Sequence, residues 1–130
     1  MVNIILVSHV KEIAEGVKKL AEQMKQGEVE IIAVGGTADG DIGTDPDAIE
    51  LAVKEVNKED GIIILADLGS AIMSVNMVLD WLDDEVREKI VLADAPFVEG
   101  AVVAAVEAGM GNPIEEILES IESAEMIKKN

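Results

Sequence analysis

Short apolar runs alternate along the chain with longer segments whose apolar residues recur every three or four positions. The short runs, rich in Ile, Leu and Val, predict buried strands, and the longer segments have the spacing of amphipathic helices. The predicted strands are residues 4–7, 29–34, 61–66 and 89–92. The first predicted helix has an apolar stripe that begins at Ile13, and it ends near Gly27. The second begins at the capping sequence Thr44-Asp45-Pro46, and the other three cover about residues 70–81, 98–108 and 113–128.

Strict alternation of strands and helices predicts a single α/β domain over residues 1–130, because parallel strands need helical crossovers. The expected architecture is a doubly wound, mainly parallel four-stranded sheet in the order 2-1-3-4, with helices on both faces. The continuous apolar run at residues 62–65 is typical of a strand buried on both faces. In this order the winding reverses between strands 1 and 3, so a ligand is expected beyond the carboxyl ends of those strands.

Two residues that can perform chemistry follow these two strands. His9, the only histidine, follows strand 1, and Asp67 follows strand 3. A carboxylate bonded to one ring nitrogen fixes the imidazole tautomer and leaves the other nitrogen free to attack. Each residue also has an ordinary interpretation, His9 as a strand cap and Asp67 as a turn residue. The sequence predicts His9 as a nucleophile oriented by Asp67.

Glycine-rich turns are predicted to surround the same crevice. Gly36 and Thr37 follow strand 2, and Gly69 and Ser70 lead into the third helix. Glycine lets the backbone approach a ligand, and Ser70 can cap the helix while its N–H groups face an anion. Such turns are common in α/β proteins, but several of them around one imidazole predict a phosphate site formed by these four residues.

Composition narrows the choice of partners. The formal charge of −17 argues against nucleic acid and anionic membranes. There is no cysteine, so a disulfide framework and a thiolate nucleophile are excluded. No apolar stretch approaches the roughly 20 residues needed to cross a bilayer, and no signal peptide is evident. A soluble, cytoplasmic protein is expected.

An acidic segment resembles a calcium-binding loop in its spacing. The position that needs glycine in such a loop is Thr44, and no helix precedes the segment, so no metal site is predicted. The acidic residues are Asp39, Asp41, Asp45, Asp47 and Glu50.

Met73 and Met77 share helical spacing with Val78. This stripe predicts either core packing or a subunit interface. Trp81 ends the stripe and is expected to pack against a neighbour.

Together, several segments resemble the phosphotransferase subunits (DhaM) of phosphoenolpyruvate-dependent dihydroxyacetone kinases, which are related to the mannose-class enzyme IIA domains of the bacterial sugar phosphotransferase system. The resemblance extends over nearly the whole chain. The segments are Ser8-His9, residues 35–44, residues 66–71 and residues 94–101.

This resemblance implies that His9 accepts a phosphoryl group from the phosphocarrier protein HPr. The group then passes to ADP held by the nucleotide-binding kinase subunit, and the ATP formed there phosphorylates dihydroxyacetone. Asp67 matches the family's histidine partner. The resemblance also implies a homodimer, with no cofactor beyond a transient phosphohistidine, since ADP and ATP belong to the partner subunit.

Two alternatives remain at this point. A mannose-class sugar-transport IIA domain would use the same chemistry with a IIB partner at the membrane. A non-catalytic regulatory module of flavodoxin-like shape is the second alternative. A receiver domain would need an acidic residue after strand 1 and a lysine near a fifth strand, and neither is present.

Overall fold

The computed structural model describes residues 1–128 and contains one parallel four-stranded sheet. Its order is β2-β1-β3-β4, which confirms the predicted winding. The strands are β1 (Asn3–Ser8), β2 (Ile31–Gly35), β3 (Ile62–Ala66) and β4 (Ile90–Leu92). Val7 pairs with Val34 on one side and with Ala66 on the other, so β1 and β3 end side by side.

Helices cover both faces of the sheet. The helices are α1 (Lys11–Met24), α2 (Pro46–Glu55), α3 (Gly69–Trp81), α4 (Asp84–Arg87), α5 (Phe97–Gly109) and α6 (Ile114–Ile121). Along β1, Ile4 and Leu6 join the core beneath α1, α5 and α6, while Ile5 and Val7 join the core beneath α2 and α3. The central strands are therefore buried on both sides, which explains their uninterrupted apolar sequences.

The start of α2 confirms the predicted cap. The Asp45 carboxylate accepts hydrogen bonds from the N–H groups of Asp47 and Ala48, and Pro46 is the first helical residue. Proline costs nothing there because the first N–H groups of a helix have no partner within it.

The C-terminal segment differs from the prediction of one helix over 113–128. Helix α6 ends at Ile121, and a 3₁₀ helix follows at Ala124–Ile127. Ser123 separates them, with its hydroxyl accepting the Glu125 N–H at 3.2 Å. A serine side chain that bonds to a nearby backbone group competes with the helical hydrogen bonds, which accounts for the break. The short α4 was not predicted.

The two methionines of the α3 stripe, Met73 and Met77, are not in the core. Val78 is buried, whereas Met73 and Met77 are 71% and 47% exposed. Trp81 is also exposed, at 48%. The core alternative for the two methionines is therefore wrong, and the subunit-interface alternative remains a prediction.

None of the helices within residues 1–128 is long and apolar enough to span a membrane.

Candidate functional site

The sheet brings His9 and Asp67 together at its carboxyl edge. His9 follows β1 and Asp67 follows β3, and the Asp67 N–H continues the strand pairing by donating to the Val7 carbonyl at 3.2 Å. The imidazole Nδ1 lies 2.8 Å from Asp67 Oδ1. Both side chains are largely covered, with 15% and 14% of their surface exposed.

The Asp67 carboxylate accepts hydrogen bonds at both oxygens. Oδ2 accepts the Ser8 hydroxyl at 2.8 Å and the His9 N–H at 3.1 Å, while Oδ1 faces the imidazole. Burial raises the pKa of Asp67, but the hydrogen bonds from Ser8 and His9 and the attraction of the imidazole outweigh it and lower the pKa below its usual value. Asp67 is therefore ionised at neutral pH.

The ionised carboxylate fixes the tautomer of His9. A carboxylate can only accept, so Nδ1 has to carry the proton in the bond to Oδ1. In the neutral ring, Nε2 then keeps its lone pair, and it contacts the Ser70 hydroxyl, which can donate to it. In that form the arrangement presents a nucleophilic nitrogen beside a serine.

The first turn of α3 lies beside this nitrogen. Leu68 is the N-cap residue and its side chain makes no capping bond, so Ser70 does not cap the helix as predicted. Its hydroxyl contacts His9 instead. Within residues 1–128, the N–H groups of Leu68, Gly69 and Ser70 have no hydrogen-bond partner. Free N–H groups and the positive end of the helix dipole favour an anion here.

The backbone N–H groups of Gly36 and Thr37, in the loop after β2, already have acceptors within the protein. Gly36 donates to the Ser8 carbonyl at 3.3 Å, and Thr37 donates to the Asp41 carbonyl at 2.9 Å. The predicted phosphate-binding amides of this loop are therefore occupied. The Thr37 hydroxyl accepts the Asp41 N–H at 3.1 Å and keeps its own proton for another acceptor.

The same loop holds the backbone of His9. The Gly43 N–H donates to the His9 carbonyl at 2.8 Å. The hydroxyl of the next residue, Thr44, is hydrogen-bonded to the hydroxyl of Ser74 in α3, with 2.6 Å between the two oxygens. Gly43 has a φ of 145°, where a side chain would be strained. Neither Gly43 nor Ser8 was predicted as a site residue. A hydroxyl that ends an apolar strand was the one signal that could have identified Ser8.

The arginine of this chain does not take part in this arrangement. Arg87, the only arginine, donates to the Ile90 carbonyl at 3.4 Å and so lies at the amino end of β4, away from His9. Across residues 1–128, no group of three histidine or acidic side chains is placed to hold a metal ion. The groups that contact His9 Nε2 or lie unpaired in the first turn of α3 are neutral O–H and N–H donors.

Comparisons with known proteins identify a family and several related chains. The family model described as the PTS system fructose IIA component matches residues 3–118. A phosphoryl donor subunit, DhaM, of a PEP-dependent dihydroxyacetone kinase of Listeria innocua is 40% identical, with 93% of this chain and 97% of that protein covered. The phosphotransferase subunit DhaM of Lactococcus lactis subsp. lactis is 35% identical, with 92% of each chain covered.

Some relatives are longer. The DhaM subunit of Pantoea ananatis is 41% identical over 92% of this chain, which spans only 26% of that protein. A crystal structure of a protein of unknown function superposes with a TM-score of 0.86 at 38% identity, covering 94% of this chain and 93% of the other. The chain belongs to the mannose-class IIA family of the phosphotransferase system, and its similarities within that family lie with the DhaM phosphoryl donor subunits.

Proposed function

We propose that this protein carries a phosphoryl group on His9 Nε2 from HPr to the nucleotide-binding subunit of a dihydroxyacetone kinase. The observation that carries the proposal is the pairing of His9 Nδ1 with the ionised Asp67 carboxylate, which leaves Nε2 as the free nucleophile. Relatives that match at least 92% of this chain, and of which this chain covers at least 92%, are named as phosphoryl donor or phosphotransferase subunits of such kinases.

In the first transfer, the lone pair of Nε2 forms a bond to phosphorus while the bond between phosphorus and the donor histidine breaks. The electron pair of the broken bond stays on the donor nitrogen. The imidazole of His9 gains positive character, which the Asp67 carboxylate stabilises, and Nδ1 keeps its proton. An in-line phosphoryl transfer needs mainly positioning and electrostatic support of this kind.

The second transfer reverses these steps. A terminal phosphate oxygen of ADP attacks phosphorus, the bond to Nε2 breaks, and the nitrogen recovers its lone pair as ATP forms. A carrier works best when neither state is held too tightly. Neutral N–H and O–H donors suit that requirement better than an arginine, and no guanidinium lies at this site.

The phosphoryl oxygens are assigned to the first turn of α3. The free N–H groups of Gly69 and Ser70 are the proposed donors, and the Ser70 hydroxyl moves from Nε2 to an oxygen when the bond forms. In the loop after β2, the Thr37 hydroxyl is the one further proposed donor. The N–H groups of Gly36 and Thr37 can contribute only if their present hydrogen bonds open.

The decisive experiment is phosphorylation with phosphoenolpyruvate, enzyme I and HPr, followed by intact-protein mass spectrometry. The wild-type chain should gain one acid-labile phosphoryl group, and His9→Ala should gain none. Equal labelling of both proteins, or no labelling of the wild type, would refute the proposal.

A sugar-transport IIA domain is the second candidate, because the family model that matches this chain is described as a fructose IIA component. The phosphorylated protein should be offered either a dihydroxyacetone kinase subunit with ADP or a sugar-transport IIB protein. Discharge to ADP with formation of ATP supports the kinase, and discharge to the IIB protein supports sugar transport.

We further propose that the protein acts as a homodimer in the cytoplasm. The homodimer is supported by the outer face of α3, where Ile72, Met73, Met77 and Trp81 are all at least 41% exposed and the one charged residue is Asp80. Sedimentation equilibrium should give twice the chain mass, and Met77→Lys should shift the protein toward monomer. Met24→Lys, on the exposed face of α1, is the matched control and should leave the mass unchanged.

A further inference from the structure

Ser8 is a buried hydroxyl that no step above uses. Within residues 1–128, the buried polar side chains are Asn3 and Ser8, at the two ends of β1. Asn3 bonds to backbone groups of Asn57 and Glu30, so it joins loops at the amino edge of the sheet. Ser8 is fully buried and bonds to the Asp67 carboxylate instead. Its bonding therefore connects it to the site.

The hydrogen bonds of Ser8 fix the direction of its proton. The Val10 N–H donates to Ser8 Oγ at 3.1 Å, which uses an oxygen lone pair. Asp67 Oδ2, 2.8 Å from Oγ, belongs to an ionised group that can only accept. The Ser8 O–H therefore has to donate to Oδ2.

This bond helps to hold the plane of the carboxylate so that one oxygen faces the imidazole. The terminal torsion of an aspartate is soft, so the carboxylate turns easily unless neighbouring groups hold it. Ser8 and the His9 N–H both donate to Oδ2, leaving Oδ1 for Nδ1 at 2.8 Å. The end of β1 thus sets the orientation of a side chain that β3 supplies.

We propose that Ser8 is a positioning residue that acts through Asp67. Its hydroxyl holds the carboxylate so that His9 remains in the tautomer with its proton on Nδ1 and its lone pair on Nε2. The part of this inference that concerns transfer rests on the proposed function. The part that concerns the tautomer applies to the unphosphorylated protein and can be tested without any phosphoryl donor.

The test uses ¹⁵N NMR of the imidazole ring in the full chain. In the wild type, the signals should show a protonated Nδ1 and an unprotonated Nε2. Ser8→Ala should give a mixture of tautomers and a roughly 10-fold slower transfer from phosphorylated HPr, the scale expected for one lost hydrogen bond to a charged group. Ser8→Thr, which keeps the hydroxyl, should restore both measurements.

Ser120→Ala is the matched control, because it removes a partly buried hydroxyl that donates to a carboxylate, Glu107, and not to Asp67 or His9. It should leave the tautomer unchanged. If Ser8→Ala does not fold, Ser8→Cys replaces the strong O–H donor with a weak S–H donor and should show the same change in smaller measure. A folded Ser8→Ala or Ser8→Cys protein with the wild-type tautomer would overturn the inference.

The two hypotheses fail in different ways. If wild-type His9 accepts no phosphoryl group, the proposed function fails, but the tautomer of Ser8→Ala still tests the positioning role. If transfer occurs and the tautomer does not respond to Ser8, only the positioning role fails.

Discussion

An asparagine at position 67 would have almost the shape of the aspartate but would present an N–H group where Asp67 presents only acceptors. The amide nitrogen would face either His9 Nδ1 or the two donors that now bond to Oδ2. When the amide N–H faces Nδ1, that nitrogen has to accept, and the proton moves to Nε2. The nucleophile is then lost without any change in packing.

We therefore expect Asp67→Asn to slow phosphoryl transfer by about 100-fold or more while the protein remains folded. The measurement is single-turnover transfer from phosphorylated HPr, with circular dichroism to check the fold. Asp80→Asn, on an exposed position of the same helix as Ser70, is the control and should transfer normally. A normal rate for Asp67→Asn would remove Asp67 from the mechanism.

The lowered pKa of Asp67 also predicts a pH dependence of stability. A carboxyl whose pKa is lower in the folded state than in the unfolded state binds protons more readily when unfolded. Its contribution is present above the unfolded pKa and is lost as the pH falls through the folded value. The difference in unfolding free energy between wild type and Asp67→Asn should therefore shrink below about pH 4 in urea titrations. A difference that grows toward low pH would contradict this.

At the scale of elements, the sequence predicted what depends on local pattern and missed what depends on distant contacts. Uninterrupted apolar strands and the Asp45-Pro46 cap are local signals that identified the elements. Their alternation, with the crossover rule, predicted the sheet order and thus the edge where His9 and Asp67 lie. The sequence placed Gly36 in the phosphate site but could not show that its N–H bonds to the Ser8 carbonyl, because Ser8 lies in another strand. Ser123 could have indicated the break after α6, but the apolar spacing continues through it.

Two helical glycines should respond oppositely to the same substitution. A Cβ on Gly16 in α1 would meet no neighbouring atom within 4 Å, whereas one on Gly109 at the end of α5 would overlap the Gln26 carbonyl oxygen. Gly16→Ala should stabilise the protein by about 0.5–1 kcal/mol through helix propensity. Gly109→Ala should destabilise it by roughly 1–3 kcal/mol through overpacking against backbone. Urea unfolding measures both, and equal effects would contradict the close contact of α5 with the segment after α1.

At the scale of the whole molecule, the protein combines a buried sheet with a strongly acidic composition. The chain has 27 acidic and 10 basic residues, so like charges repel one another over most of the fold. At 0.1 M ionic strength, salt largely screens such repulsion between exposed charges that are more than about 10 Å apart. The folded state should gain from added salt because it holds these charges closer together than the unfolded chain does.

The melting temperature should therefore rise by a few degrees between low salt and 0.5 M sodium chloride, as measured by differential scanning calorimetry. Sodium chloride and potassium chloride should have the same effect if screening is the cause. A fall in melting temperature with salt would show that attractive ion pairs dominate instead.

The N–H groups without a hydrogen-bond partner at the start of α3 also provide a way to detect whether His9 carries a phosphoryl group. Amide protons without a hydrogen-bond partner exchange rapidly with solvent, so those of Gly69 and Ser70 should exchange faster than that of Gly43, which donates to the His9 carbonyl. When His9 carries a phosphoryl group, the first two should become slow and the third should not change. Hydrogen–deuterium exchange would then follow the arrival and departure of the group at individual amides, without any label on the phosphorus.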